Sequence, residues 1–279
     1  MRKLLGCPLR SAVLLLFVFF SVSPVLASGP DLAAARAAFD AGNFARAAEL
    51  ARDLKTAKGD ALASRAESVR GEFAAEGDDR LKRYEAALAD GRRALARNPR
   101  SAEAHLAIAI SLGLAARNEG RMAAHFAGIG REARLHIDKA LELAPENAWA
   151  WAARGGWNIE IAYDGGVIGR MVYGASIAAG VDAYERALVL APRNMSIAWQ
   201  YAFQLAGLGG ENLPRANALL ADIAGREPAT ALEELLRASA LELKDALDRG
   251  DKAALARILA FRLGRGDAPP PASGFRGKR

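Results

Sequence analysis

A small residue, then Ala-Leu seven positions later, then Pro five further on, is the frame that most restricts what this chain can fold into. It reads Ala133-Arg-Leu-His-Ile-Asp-Lys-Ala140-Leu141-Glu-Leu-Ala-Pro145 in its clearest copy. It returns as Ala87, Ala94-Leu95 and Pro99, as Gly180, Ala187-Leu188 and Pro192, and as Ala216, Ile223-Ala224 and Pro228. Small residues seven apart share one stripe of a helix and let a neighbouring helix come close, while proline lacks the amide a helix needs to continue. The apolar/polar alternation that half-buried strands require is missing. The frame therefore predicts an all-α chain of stacked helix-turn-helix units, each burying its apolar face against the next.

A second signature follows each proline. Pro145 precedes Ala148-Trp-Ala-Trp151 and Gly155, and Pro192 precedes Ala198-Trp199 and Ala202, so that a bulky residue near the helix start packs before a small one. This pattern resembles the tetratricopeptide repeat, whose period is about 34 residues. Units at 100–145, 146–192 and 193–228 match well, and degenerate ones lie at 31–59 and 60–99. The resemblance implies a right-handed solenoid whose groove is lined by the first helix of each unit.

The prolines at 99, 145, 192 and 228 stand 46, 47 and 36 residues apart, so two units exceed the period by roughly a dozen residues. The excess falls around Arg117-Asn-Glu-Gly-Arg121 and Asp164-Gly-Gly-Val-Ile-Gly-Arg170. Three ordered blocks, His136 to Asn147, Gly155-Gly-Trp157-Asn-Ile-Glu-Ile-Ala162 and Tyr173-Gly-Ala175, resemble the helical domain of the regulator of microtubule dynamics family and its bacterial relatives. That resemblance implies a repeat fold. Tubulin binding does not follow from it, because the N-terminus reads as a bacterial export signal.

Residues 1–27 carry Arg2, Lys3 and Arg10, an apolar run from Ala12 to Val22, and Val25-Leu-Ala27 ahead of a cleavage point. Such a segment is expected to be a signal peptide cut before Ser28, giving a periplasmic product. The run is shorter than the roughly 20 residues a bilayer span needs. The single cysteine, Cys7, would leave with the leader, which removes disulfides, thiolate nucleophiles and cysteine-based zinc sites. The formal charge of +6 sits at the two ends: residues 1–27 carry three positive charges, residues 264–279 a net three more, and residues 28–263 balance. Nucleic acid is therefore not an expected partner. Residues 28–263 form the expected repeat domain, and 264–279 a disordered Pro/Gly/basic tail.

Within the domain, helix pairs are expected at 31–41 and 44–57, 60–75 and 79–97, 101–117 and 121–144, 147–163 and 176–191, and 194–207 and 213–226. Ala229 to Asp248 reads as a long amphipathic helix and 252–263 as a last one, together a polar cap on the array. By the repeat register Leu106 and Ile110, then Trp149, Ala152, Gly156 and Glu160, then Trp199 and Phe203, face the groove and are the candidate peptide-binding residues. Trp151 and Trp157 are expected in the core.

No catalytic, metal or cofactor site is expected. His125 and His136 are about 16 Å apart along a continuous helix, His105 reads as a core residue, and Glu132 with His136 is a surface pair without a third ligand. Gly165-Gly-Val-Ile-Gly-Arg170 lacks the strand and Lys-Ser/Thr of a phosphate loop and is expected to be a flexible connector, with a lid over a ligand as the alternative. No serine sits in a nucleophile-elbow or triad setting. The expectation is thus a non-catalytic scaffold binding a protein segment in a concave groove, or alternatively an accessory transport subunit holding a small ligand under residues 164–175.

Overall fold

In a computed structural model that describes residues 31–73, 77–119 and 128–262, the chain is helical, and among those residues there is no strand. Thirteen α-helices are described: α1 (Leu32–Asp40), α2 (Phe44–Asp53), α3 (Ala57–Glu72), α4 (Gly77–Arg97), α5 (Ala102–Glu119), α6 (Ile129–Leu143), α7 (Ala148–Asp164), α8 (Gly166–Tyr173), α9 (Ile177–Leu190), α10 (Met195–Leu208), α11 (Leu213–Ala224), α12 (Ala231–Asp248) and α13 (Lys252–Arg262). The leader 1–27, the tail 264–279 and His125 lie outside the described residues.

The helices pair as α1–α2, α3–α4, α5–α6, α7–α9, α10–α11 and α12–α13, and each pair stacks on the next. The seven-residue frame is the reason. Ala87, Ala94, Ala133, Ala140, Gly180, Ala187, Ala216 and Ile223 are all buried. The capping residues fall two positions after each proline: Ser101, Asn147, Asn194 and Thr230 each accept a backbone N–H of the first turn, at 3.1, 3.0, 3.1 and 3.3 Å. A side-chain oxygen there satisfies one of the otherwise unpaired amides of a helix start. At each join the next helix thus begins three residues after the proline that follows the previous one.

Two pairs share a further device. A methyl group at Gly155 of α7 would lie 2.5 Å from the Tyr184 ring of α9, and Gly71 of α3 faces Tyr84 of α4 in the same way. Each tyrosine stands three residues before a fully buried alanine, Ala87 or Ala187. The glycine lets an aromatic side chain fill the space between the two helices.

Between α2, α3 and α4 the interface is ionic. Asp60, Glu67 and Asp90 are buried. Arg52 spans two of them, reaching Glu67 at 2.8 Å and Asp90 at 3.0 and 2.8 Å. Arg70 donates twice to Glu67 at 3.0 Å, Arg97 donates to Asp60 at 2.6 Å, and Arg93 pairs with Asp90. Desolvated carboxylates persist only where such partners compensate them.

The main core joins Ala35 and Phe39 of α1 to Trp199 and Tyr201 of α10 and to Leu232, Leu236, Leu243 and Ile258 of α12 and α13. The array therefore curls until its last unit meets its first. Ala231 abuts Gly42, Arg80 donates to the Phe261 carbonyl with its guanidinium 3.9 Å from that ring, and Arg262 donates to the Glu72 carbonyl at 3.3 Å. The expected cap is thus a closing element: α12 has one wet face, and its other face packs on α11, α10 and α1.

Candidate concave cavity

The curl forms a half-open cavity of about 1160 Å³ lined by the first helix of all six units. Leu32 of α1, Leu62 and Val69 of α3, Leu106 and Ile110 of α5, Trp149 of α7, Trp199 of α10 and Leu232 of α12 make it mostly apolar. Ile129, Ala133 and Ile137 of α6 and Ile168 and Tyr173 of α8 complete the wall.

Of the eight candidate groove residues, Leu106, Ile110, Trp149, Ala152, Gly156, Glu160 and Trp199 line this cavity, and Phe203 does not. Phe203 is buried with its ring 6.0 Å from Trp199. Gln200 and Gln204 on either side of it line the cavity, so Phe203 stands on the face of α10 turned away from the cavity, in the main core. Trp199 is only 1% exposed and forms part of the floor. Trp149 is half-buried, and the Arg65 guanidinium stands 5.4 Å from its ring. Trp157 is buried with its N–H donated to the Gly130 carbonyl at 2.8 Å, and Trp151, half-buried, donates to the Pro145 carbonyl at 2.7 Å.

At one side of the cavity lies a polar cluster. Arg117 donates to Glu160 Oε1 from Nε at 3.1 Å and from Nη2 at 2.5 Å, and Gln204 Nε2 donates to the same oxygen at 2.8 Å. Burial opposes the Arg117 charge, but the adjacent Glu160 and Glu72 carboxylates outweigh it and raise the guanidinium above its ordinary value. Tyr184 stacks on Tyr201 with ring centroids 4.7 Å apart, and burial pushes its phenol far up, so it stays protonated. Arg117, Gln204 and Tyr184 were not among the residues the sequence singled out. Gln204 had a legible signal: with Gln200 it is one of two glutamines in the otherwise apolar run Met195 to Leu208, and a buried amide needs a partner. Arg117 had none, since it falls where the unit exceeds the repeat length.

The glycine-rich connection is not a flexible loop. It contains α8, which packs tightly on the end of α7: a methyl group at Gly169 would strike the Ile161 carbonyl. Gly165 and Gly169 serve close approach, whereas Gly166 and Gly174 supply the left-handed backbone at the two ends of the helix. The inner face of α8 walls the cavity with Ile168, Gly169 and Tyr173, while the outer face leaves Val167, Met171 and Val172 between 55% and 80% exposed.

The histidines meet where the sequence suggested no pairing. His105 Nδ1 and His136 Nδ1 are 2.8 Å apart, joining α5 to α6, and His105 Nε2 lies 3.3 Å from the Pro99 carbonyl. With Nε2–H donated to Pro99, His105 Nδ1 accepts from His136 Nδ1–H. They are 31 residues apart, and only the antiparallel pairing of the two helices brings them together. Among the described residues, no three His, Cys, Asp or Glu side chains form a metal-binding group, and no helix is long and apolar enough to cross a membrane.

Comparison with known proteins agrees with this architecture. The family model for regulator of microtubule dynamics protein 1-3 matches residues 32–189, more than half of the 279-residue chain. A solved structure of a thermophilic tetratricopeptide-repeat protein from Thermus thermophilus is similar with a TM-score of 0.53 at 18% identity, covering 75% of this chain and 96% of that one. At that identity the likeness is one of fold. No curated protein sequence gives a significant match.

Proposed function

The chain belongs to the regulator of microtubule dynamics protein 1-3 family, and from that premise we propose that it is an exported, non-catalytic scaffold holding a segment of a partner protein in its concave cavity. One observation carries this reading: a largely apolar cavity contacted by the first helix of every unit, with a hydrogen-bonding cluster set into its wall. Apolar burial would supply the affinity and the polar cluster the register. Because the curvature is preformed, little ordering of the protein opposes binding.

Selection of displayed random peptides on the purified protein tests this. Wild type should enrich a coherent set of sequences, and Trp149→Ala should weaken their binding by about 2 kcal/mol, the usual scale for a desolvated aromatic anchor. Equal binding by wild type and by an Ile110→Asp variant that retains its helicity would dispose of the cavity as the site. Export is tested separately: the periplasmic fraction should contain a form whose first residue is Ser28.

A second reading has one observation in its favour. Residues Asp164, Gly165, Ile168, Gly169 and Tyr173 form part of the cavity wall, so α8 could gate a small apolar ligand in an accessory transport subunit. Native mass spectrometry of gently purified protein should then show a bound small molecule that is lost on unfolding.

A further inference from the structure

We infer that the end of the cavity bounded by α1 and the first half of α3 seats a short acidic stretch of the bound segment, with Arg65 as its main contact. This rests on the segment-binding reading above and adds to it the charge of the partner.

Arg36 of α1 and Lys58 and Arg65 of α3 line the cavity, and all three are exposed to it. Lys58, Leu62 and Arg65 follow one another at helical spacing and form one inward stripe of α3. As the first helices of successive units, α1 and α3 run in the same direction. The Arg65 guanidinium stands 4.9 Å from the centre of the Phe39 ring of α1, so Arg36, one turn before Phe39, is level with the stretch between Lys58 and Arg65.

None of these three cations has an ion pair or hydrogen bond with a described residue. Arg52 and Arg117 differ, because Asp90 and Glu160 balance them. Arg65 is held instead between two aromatic rings, Phe39 and, at 5.4 Å, Trp149. Rings attract a guanidinium but leave its five N–H donors unused. The surrounding wall desolvates the group and lowers it below its ordinary value, and Asp40, beyond ion-pair distance, offsets this only in part. Arginine nevertheless stays charged. A cation withdrawn from water without a counter-charge is costly. This one is accessible from the cavity, so an entering anion reaches it.

The acids of the wall do not supply that counter-charge. Glu103 accepts from the Ser101 hydroxyl at 3.2 Å, while Glu72, Glu160 and Asp164 stand in the last turns of their helices, toward the other end of the cavity. Lys58 and Arg65 are about 10 Å apart along the α3 axis, the span of about three residues of extended chain. Two Asp or Glu side chains at that spacing match the two cations, and large apolar neighbours pack on Leu106 and Trp149. A basic segment would be repelled, and a neutral one would leave Arg65 uncompensated.

Random dodecapeptides fused to phage through their C-termini and selected on the full-length protein give the test. Such peptides have no free C-terminus, so only side-chain carboxylates are selected. The enriched set should carry two or more Asp or Glu within about four positions, beside large apolar residues. Changing those acids to Asn or Gln should weaken binding at least about tenfold on wild type, as when a desolvated charge loses its partner. On a Lys58→Gln, Arg65→Gln double variant the same change should cost less than about threefold, the size of an exposed ion pair. Arg36→Gln with Lys58→Gln leaves Arg65 on its rings, serves if the first variant is poorly folded, and should reduce the wild-type ratio at least about twofold. Enriched peptides without acids, or an equal effect of the Asn or Gln change on wild type and both variants, would overturn the acidic seat while leaving the segment-binding cavity standing. Failure to enrich any peptide would overturn both.

Discussion

At Gly155 an added methyl would lie 2.5 Å from the Tyr184 ring, which is stacked on Tyr201 and cannot yield. Gly155→Ala should therefore lower the free energy of unfolding by about 1–3 kcal/mol, as other overpacked sites do. Its neighbour is less crowded: a methyl at Gly156 would meet the Tyr184 hydroxyl at 3.1 Å and the Gln204 amide at 3.2 Å. Gly156→Ala should change stability by less than about 1 kcal/mol, because crowding against the fixed tyrosine offsets a helix-propensity gain of that size. Urea unfolding of the two variants in parallel checks both. Asp90 makes a third case. It is fully buried and held by Arg52 and Arg93, so Asp90→Ala should cost about 2 kcal/mol, the scale of lost hydrogen bonds to charged groups, since the two arginines keep Glu67 and Asp60 as partners. A loss below about 1 kcal/mol, the size of an exposed pair, would show that the network is solvated. At this scale the sequence was uneven. The tryptophans were legible as cavity or core because the repeat register assigns helix faces. The ionic network was not, because Arg52, Glu67 and Asp90 look like ordinary surface charges until three helices enclose them.

Single helices carry two further consequences. The join between α5 and α6 includes two imidazoles in hydrogen-bond contact, and desolvation lowers both below the ordinary histidine value. Around His105 stand the Pro99 carbonyl, Lys139 and Glu142, and around His136 stand Glu132 and Arg92. With folded values below the unfolded one, the unfolded chain binds more protons as pH falls past about 6.5. The stabilisation is thus complete above that pH and is lost below it. The urea midpoint should drop between about pH 7.5 and pH 5.5, and the drop should shrink in a His105→Asn, His136→Leu double variant. A pH response the same in both proteins would place its origin elsewhere. The other helix is α8, whose outer residues touch little. Met171→Ser with Val172→Ser should shift the unfolding free energy by less than about 0.5 kcal/mol, as surface changes do. Circular dichroism melts would reveal a larger loss if this face were packed. The glycines of this segment misled the sequence reading. Glycine marks both flexible turns and close helix approach, and only the Ile161 carbonyl facing Gly169 separates the two.

For the molecule as a whole, closure changes how stability is shared. In an open array each unit touches only its sequence neighbours. Here Arg262 and Phe261 of α13 reach Glu72 and Arg80 of the second unit, and α12 lies against α1. A chain ending at Asp248 should therefore lose amide-exchange protection in α1 and α3 as well as in α12. Protection lost from α10 to α12 alone would mean that the ends meet without mutual support.

Which helix of each pair faces inward was implied by the resemblance to the tetratricopeptide repeat; the sequence itself determined the local order, namely helix pairs, most of their boundaries within a few residues, and the stripe of small residues each pair buries. These follow from interactions between residues close along the chain, namely spacing on a helix face, a proline that stops one helix, and a cap that starts the next. Tertiary structure alone decided that the groove is a walled cavity, that Arg117, Glu160, Gln204 and Tyr184 converge on one side of it, and that His105 meets His136. Those depend on the small rotation added at each stacked interface. Over six units the rotation accumulates into a curl that brings residues separated by most of the chain into contact, and no interval in the sequence records it.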